Sequence, residues 1–207
     1  MTERKGTIYV IDDDESIRDS LGSLLRSVGF HVEVFASTEG FLNLTRQDSS
    51  SCLVLDIRLP ESNGMECQEE LKKAGIDIPI IFITAHGDIP MTSRAIKAGA
   101  VEFLTKPFQK DDLLEAIRQG LERDRRRRTE QADIRALRQR FEKLTPRERE
   151  VMDLVVEGLP NKQAASRLGL SEVTVKIHRG HAMQKMEAGS LADLVRMAER
   201  LKPLPRR

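Results

Sequence analysis

Four short apolar runs each end in a polar residue, and this pattern narrows the folds open to the chain more than any other feature of its 207 residues. Ile8–Ile11 leads into Asp12, Asp13 and Asp14. Cys52–Leu55 ends at Asp56, Ile80–Ile83 at Thr84, and Phe103-Leu104-Thr105 at Lys106-Pro107. Runs this short and this apolar suit strands buried on both faces. In an open parallel sheet the carboxyl ends of the strands face one crevice. Carboxylates, a hydroxyl and a lysine amine then converge, a set that can hold a divalent cation and a phosphoryl group.

Strand-like runs alternate with helical spacing through residue 120. The expected strands are Thr7–Ile11, His31–Val34, Cys52–Leu55, Pro79–Ile83 and Val101–Leu104. Between them, Ile17, Leu21, Leu24, Leu25 and Val28 recur at helical intervals before Gly29. Gly64–Ala74 stops at Gly75, and Ile89–Ala98 at Gly99. Glycine just past a periodic stretch is a common helix stop. The alternation predicts a parallel sheet with helices on both faces.

The net charge of +1 conceals an asymmetry. Residues 1–120 hold 13 Lys/Arg against 20 Asp/Glu, whereas residues 121–207 hold 21 against 13. An acidic half joined to a basic half suggests a regulatory or metal-binding domain joined to a nucleic-acid-binding one. Cys52 and Cys67 form neither a disulfide framework nor a zinc motif. No apolar run is long enough to span a bilayer, and no signal peptide opens the chain. The expectation is a cytoplasmic protein with no membrane partner.

From Asp111 to about Phe141 the spacing predicts one long helix. Leu113, Leu114, Ile117 and Leu121 can cover the sheet, and Ile134, Leu137 and Phe141 resume the stripe. Between them lies Arg125–Arg128, without an apolar face, and only Gly120 weakens the pattern. A continuous helix would hold two domains apart; a break at Gly120 and the arginine run would let them fold back. Beyond it, Thr145-Pro-Arg-Glu148 reads as a capping box. Asn161, Ser171 and Ser190 are expected to cap three further helices, the last with Leu191, Leu194, Val195, Ala198 and Leu201 on one face. Residues 161–186 have the layout of a helix-turn-helix. Asn161 and Lys162 stand at the amino end of its first helix, where backbone N–H groups favour phosphate. The second helix offers Thr174, Lys176, Ile177 and Arg179 to a major groove.

Magnesium prefers hard oxygen ligands and retains several waters. Asp13 and Asp56 can each give one oxygen, Asp12 can hold a metal-bound water, and the backbone carbonyl of Arg58 can supply another. A carboxylate so placed can act as a nucleophile and become an acyl phosphate. Lys106 can pair with one phosphoryl oxygen and Thr84 with another. Three carboxylates, or a strand-terminal Thr or Lys, are each commonplace alone; together at four strand ends they point to Asp56 as acceptor. His86, near Thr84, is most simply a loop residue.

The runs Val-Ile-Asp-Asp-Asp-Glu-Ser-Ile-Arg, Leu-Val-Leu-Asp56-Ile-Arg-Leu-Pro-Glu-Ser-Asn-Gly, Ile-Phe-Ile-Thr84-Ala-His-Gly-Asp and Glu-Phe103-Leu-Thr-Lys106-Pro-Phe resemble the receiver domain of bacterial two-component response regulators. Leu144-Thr-Pro-Arg-Glu-Arg-Glu-Val-Met, Gly158-Leu-Pro-Asn-Lys-Gln-Ala-Ala and Leu170-Ser-Glu-Val-Thr-Val-Lys-Ile-His-Arg resemble the output domain of LuxR/FixJ/NarL-type regulators. The resemblance implies an α/β receiver, a doubly wound five-stranded parallel sheet of order 2-1-3-4-5. To it a long helix joins an all-α helix-turn-helix output domain, with divisions at 1–122, 123–141 and 142–207. It implies magnesium at Asp12, Asp13 and Asp56, a cis bond at Lys106-Pro107, and Thr84 with Phe103 as a switch pair. It places Lys176 and Ile177 at bases, and Thr174 and Asn161 at phosphates; Gly180 falls where some relatives carry a base-contacting lysine.

The implied function is a phosphorylation-dependent transcriptional regulator. A sensor histidine kinase supplies the phosphoryl group, the chain forms a homodimer, and the dimer binds promoter DNA and meets RNA polymerase. The whole pattern is similar to regulators of aromatic-hydrocarbon catabolism, styrene degradation among them. One alternative is a regulator that binds DNA regardless of phosphate. Another is a magnesium-dependent phosphohydrolase, against which Arg58 stands where such an enzyme needs a second acid.

Overall fold

A computed structural model of the chain describes residues 6–44, 49–60, 64–85 and 89–201. The chain divides into two compact units, Met1–Arg128 and Thr129–Arg207. In the first, strands β1 (Thr7–Ile11), β2 (His31–Phe35), β3 (Ser51–Asp56), β4 (Ile80–Thr84) and β5 (Glu102–Thr105) alternate with helices α1 (Glu15–Ser27), α2 (Thr38–Leu42), α3 (Gly64–Lys73) and α4 (Ile89–Lys97). A long helix α5 (Lys110–Glu142) follows. The sheet is parallel throughout, in the order β2-β1-β3-β4-β5. All five expected strands are present, with ends shifted by a residue or so.

Successive strand side chains point to opposite faces, and each face has its own core. Ile8, Val10, Val54, Ile81 and Ile83 pack with Leu21, Leu25, Leu113 and Ile117 of α1 and α5. Tyr9, Ile11, Leu53, Leu55 and Phe82 pack with Phe41, Cys67, Leu71 and Ala95 of α2, α3 and α4. The inner strands β1, β3 and β4 are buried at every position, as a sheet covered on both sides requires, whereas the edge strand β2 exposes His31. The five-residue α2 is too short to show a period in sequence, yet its Phe41 is fully buried and packs against Tyr9 in a tilted ring pair with centroids 5.1 Å apart.

Helix α5 runs unbroken through Gly120 and the arginine cluster. The cluster is not uniformly solvated. Arg127 and Arg128 are half-buried and close on Asp124, whose carboxylate is buried.

The second unit holds α6 (Pro146–Val156), α7 (Asn161–Leu168), α8 (Glu172–Met186) and α9 (Leu191–Leu201). Thr145 and Glu148 complete the capping box, and Ser171 caps α8 through the Thr174 N–H. The cap assigned to Asn161 is corrected. Pro160 is the N-cap, its carbonyl accepting from Gln163 and Ala164, while Asn161 is the first helical residue and turns its side chain to Arg179. The α9 face also divides. Leu194 is buried, with Met197, Ala198 and Leu201 against it, whereas Leu191 is 43% exposed. Among the described residues no helix is long and apolar enough to cross a membrane.

Candidate functional site

The carboxyl ends of β1, β3, β4 and β5 place Asp12, Asp56, Thr84 and Lys106 as the apolar runs implied. Asp12 is wholly buried, Asp56 nearly so, and Asp13 is exposed. One carboxylate oxygen from each of the three lies within 4.8 Å of the others. The Lys106 ammonium donates to Asp56 Oδ2 at 2.6 Å and to Asp12 Oδ2 at 2.7 Å. The second oxygens are held by backbone: Asp14 N–H donates to Asp12 Oδ1 and Arg58 N–H to Asp56 Oδ1, both at 3.0 Å. Arg58, two residues beyond Asp56, is exposed.

Local structure fixes this geometry. Asp14 does not join the cluster; it caps α1, accepting from the Ser16 and Ile17 N–H groups. Arg18, which the sequence reading passed over, donates to the carbonyls of Asp12 and Asp13 at 2.8 and 2.7 Å and braces the acidic turn. Its signal was the spacing of one helical turn from Asp14. Lys106 N–H donates to the Thr84 carbonyl at 2.7 Å, and the Lys106-Pro107 bond is cis, as the resemblance implied. Gly64 opens α3 against the end of β3; a Cβ there would stand 2.7 Å from the Asp56 carbonyl oxygen. Thr84 is fully buried, and the Phe103 ring is turned into the core beside Phe82 and Ala100. His86 lies outside the described residues.

Burial pushes the Asp12 carboxyl above the usual aspartate range, and its bonds to Lys106 and Asp14 offset this only in part. Burial alone would lower the Lys106 ammonium, but hydrogen bonds to Asp12 and Asp56 outweigh it and the group is raised. Three carboxylates against one ammonium leave an excess of negative charge among hard oxygens, a donor set that fits a small divalent cation. The cysteines take no part: both are buried, and burial pushes the Cys67 thiol up to about 12.

In the second unit, α7 and α8 form the helix-turn-helix. Lys162, Lys176 and Ile177 are exposed. Arg179 and Asn161, assigned separately to DNA, meet each other: Arg179 Nη1 donates to Asn161 Oδ1 at 3.1 Å. Thr174 shares a 2.8 Å hydrogen bond with Ser171 Oγ. Buried Glu148 accepts from Lys185 at 2.6 Å and from the Thr145 N–H at 2.8 Å, fixing α8 to the start of α6. That anchor joins residues 37 apart and had no local signal.

Residues 8–118 match the response regulator receiver domain, and residues 142–198 match the bacterial regulatory proteins of the luxR family. The chain is 55% identical over 197 residues to Nodulation protein W of Bradyrhizobium diazoefficiens, covering 95% of this chain and 87% of that protein. It is 47% identical over 202 residues to Response regulator protein TodT of Pseudomonas putida, covering 98% and 89%. The solved structure of the response regulator StyR superposes with a TM-score of 0.82 at 52% identity, covering 94% of this chain and 98% of that one. With pocket, helix-turn-helix and both family matches in agreement, the chain belongs to the transcriptional response regulators, a receiver domain joined to a luxR-family DNA-binding domain rather than an enzyme.

Proposed function

We propose that Asp56 accepts a phosphoryl group from a sensor histidine kinase, and that this acyl phosphate controls DNA binding. The observation that carries the reading is the Lys106 ammonium held within 2.7 Å of both Asp56 and Asp12 at the strand ends. An Asp56 carboxylate oxygen forms the new bond to phosphorus as the phosphorus–nitrogen bond of the kinase phosphohistidine breaks, and the imidazole leaves with the electron pair. Lys106 neutralises one phosphoryl oxygen, and Thr84 hydrogen-bonds another. Magnesium, held by Asp12, Asp13, Asp56 and the Arg58 carbonyl, supplies charge neutralisation. Phe103 shares the movement of Thr84, so that the phosphorylated face differs from the free one.

The phosphorylated receivers associate as a homodimer, which raises the effective concentration of the second output domain at paired half-sites. Lys176, Ile177 and Arg179 meet base edges, while Asn161, Lys162 and Thr174 hold the phosphate backbone. The bound dimer contacts RNA polymerase, in the cytoplasm. We carry aromatic-hydrocarbon catabolic genes, styrene genes among them, as the proposed targets. Relatives of similar identity include both TodT and Nodulation protein W, so promoter footprinting decides this point.

The test is mass spectrometry after incubation with acetyl phosphate and magnesium. One added phosphoryl group is expected on the parent and none on Asp56→Asn; an equal adduct on the mutant overturns the assignment. Sedimentation and DNA affinity with and without the phosphoryl donor then separate phosphate-controlled binding from constitutive binding.

A further inference from the structure

We propose that Val173 and Ile177 read thymine methyl groups in the major groove and so set part of the operator preference. This rests on the reading of α8 as the helix that enters the groove. Val173 is 68% exposed and Ile177 51%, the two most exposed large apolar side chains among the described residues. Neither belongs to the cores of its unit, which take Val175, Ala182 and Met186 from the other side of α8. Single exposed apolar residues need no explanation. These two stand one turn apart on a single stripe, Val173, Lys176, Ile177 and Gly180, at the i, i+3, i+4, i+7 spacing of one helix face.

Gly180 completes the pattern. A Cβ there would meet nothing within 4 Å, so no packing constraint demands the missing side chain. Glycine inside a helix is unfavourable by about 1 kcal/mol relative to alanine. The stripe therefore presents an apolar group, a cation, a second apolar group and then bare backbone. Base reading shifts toward the amino-terminal half of α8, where a recognition helix meets base edges.

The ligand follows from the chemistry of the groove. The C5-methyl of thymine is the apolar group that the major groove displays among hydrogen-bond donors and acceptors. Val and Ile are β-branched and hold one strongly preferred rotamer in a helix, so they meet a methyl with little further ordering. Their Cα atoms are about 6 Å apart along the axis, and base pairs rise about 3.4 Å. Two thymine methyls within two base steps match the pair. Lys176 between them is suited to the purine acceptors of the intervening position.

The experiment uses the full chain, treated with acetyl phosphate, and the duplex it selects from a random pool. Each thymine of that duplex is replaced in turn by deoxyuridine, which lacks only the methyl, and affinity is measured by fluorescence anisotropy at fixed salt. Deoxyuridine at two thymines no more than two steps apart should weaken binding by about threefold to fivefold each, the effect of one buried methyl. Val173→Ala should abolish one of these penalties and Ile177→Ala the other; far-UV circular dichroism checks that both variants remain helical. Equal affinity for every deoxyuridine duplex overturns the proposal. So do penalties that persist in Val173→Ala, or a Val173→Ala loss that is the same with and without the methyl. A chain that selects no duplex overturns this proposal together with the placement of α8 beneath it.

Discussion

The Asp124 carboxylate, buried in α5, accepts the backbone N–H of Ser51 at 2.9 Å and ties the long helix to the start of the strand that ends in Asp56. Arg127 and Arg128 close on the same carboxylate at 2.5 and 2.8 Å, and Arg127 also reaches Asp77 at 3.2 Å. A buried carboxylate is unfavourable unless paired and hydrogen-bonded. Here one buried backbone donor and two guanidinium groups meet that need.

Removing this carboxylate orphans the Ser51 N–H. Asp124→Ala should therefore destabilise the first unit by about 2–3 kcal/mol, held to the low end because both arginines can turn toward water. Asp124→Asn keeps an acceptor for Ser51 and should lose less. The single tyrosine, Tyr9, is buried in this unit and the chain has no tryptophan, so tyrosine fluorescence in urea follows this unit alone. A change for Asp124→Ala within about 0.5 kcal/mol, the ordinary scatter for surface substitutions, would falsify the anchor.

What could be read from sequence was local or periodic. Strands buried on both faces announce themselves as apolar runs, and a cap is written within three residues, as Thr145 and Glu148 show. The pocket was legible because each member ends such a run. Asp124 was not: within Glu-Arg-Asp-Arg-Arg-Arg-Arg it resembles one charge of a solvated face, and its partner Ser51 lies 73 residues away. Asn161 misled for a related reason. Its side chain is a favoured cap in isolation, but Arg179, 18 residues on, holds it elsewhere and leaves the capping position to Pro160.

Lys106 bridges Asp12 and Asp56, two of the three carboxylates that would also serve a divalent cation. Lys106→Ala should leave Asp12 and Asp56 repelling each other and destabilise the metal-free first unit by about 2 kcal/mol. Millimolar magnesium chloride should restore much of this, because a ligand that binds only the folded state stabilises it by mass action. Thermal melts in chelator and in magnesium test both halves of the expectation. The idea fails if magnesium raises the melting temperature of the mutant no more than that of the parent.

Acid should loosen the second unit through Glu148. Burial alone would raise its carboxyl, but hydrogen bonds from Lys185 and the Thr145 N–H outweigh this and hold the group below the ordinary glutamate range. A folded-state value below the unfolded one gives stability that is fully present above the unfolded value, about 4.3, and is lost as pH falls through the folded value. Glu148→Gln should cost about 1–2 kcal/mol at neutral pH, and the gap between mutant and parent should narrow toward about pH 3. Urea titrations followed by helical circular dichroism measure the gap; one of constant size across the range would show that the charge of Glu148 contributes nothing.

Gly120 lies inside α5, where helix propensity alone favours alanine by about 1 kcal/mol. A Cβ built at this position would come 2.6 Å from Cys52 Sγ, but only 3.5 Å from Cys52 Cβ and 3.6 Å from Pro79 Cβ. The helix thus approaches the start of β3 as closely as a residue without a side chain allows, and the thiol, fully buried, has little room to give. Gly120→Ala should therefore destabilise the first unit by about 1–3 kcal/mol, the usual cost of overpacking, against its local propensity. Cys52→Ala removes the one atom in the way and leaves contacts of ordinary length. In that background Gly120→Ala should change sign and stabilise by up to about 1 kcal/mol. The double-mutant cycle, read by Tyr9 fluorescence in urea, isolates the contact because each single change touches the other residue's site. If Gly120→Ala destabilised equally in both backgrounds, the glycine would be required for some reason other than the close approach of α5 to Cys52.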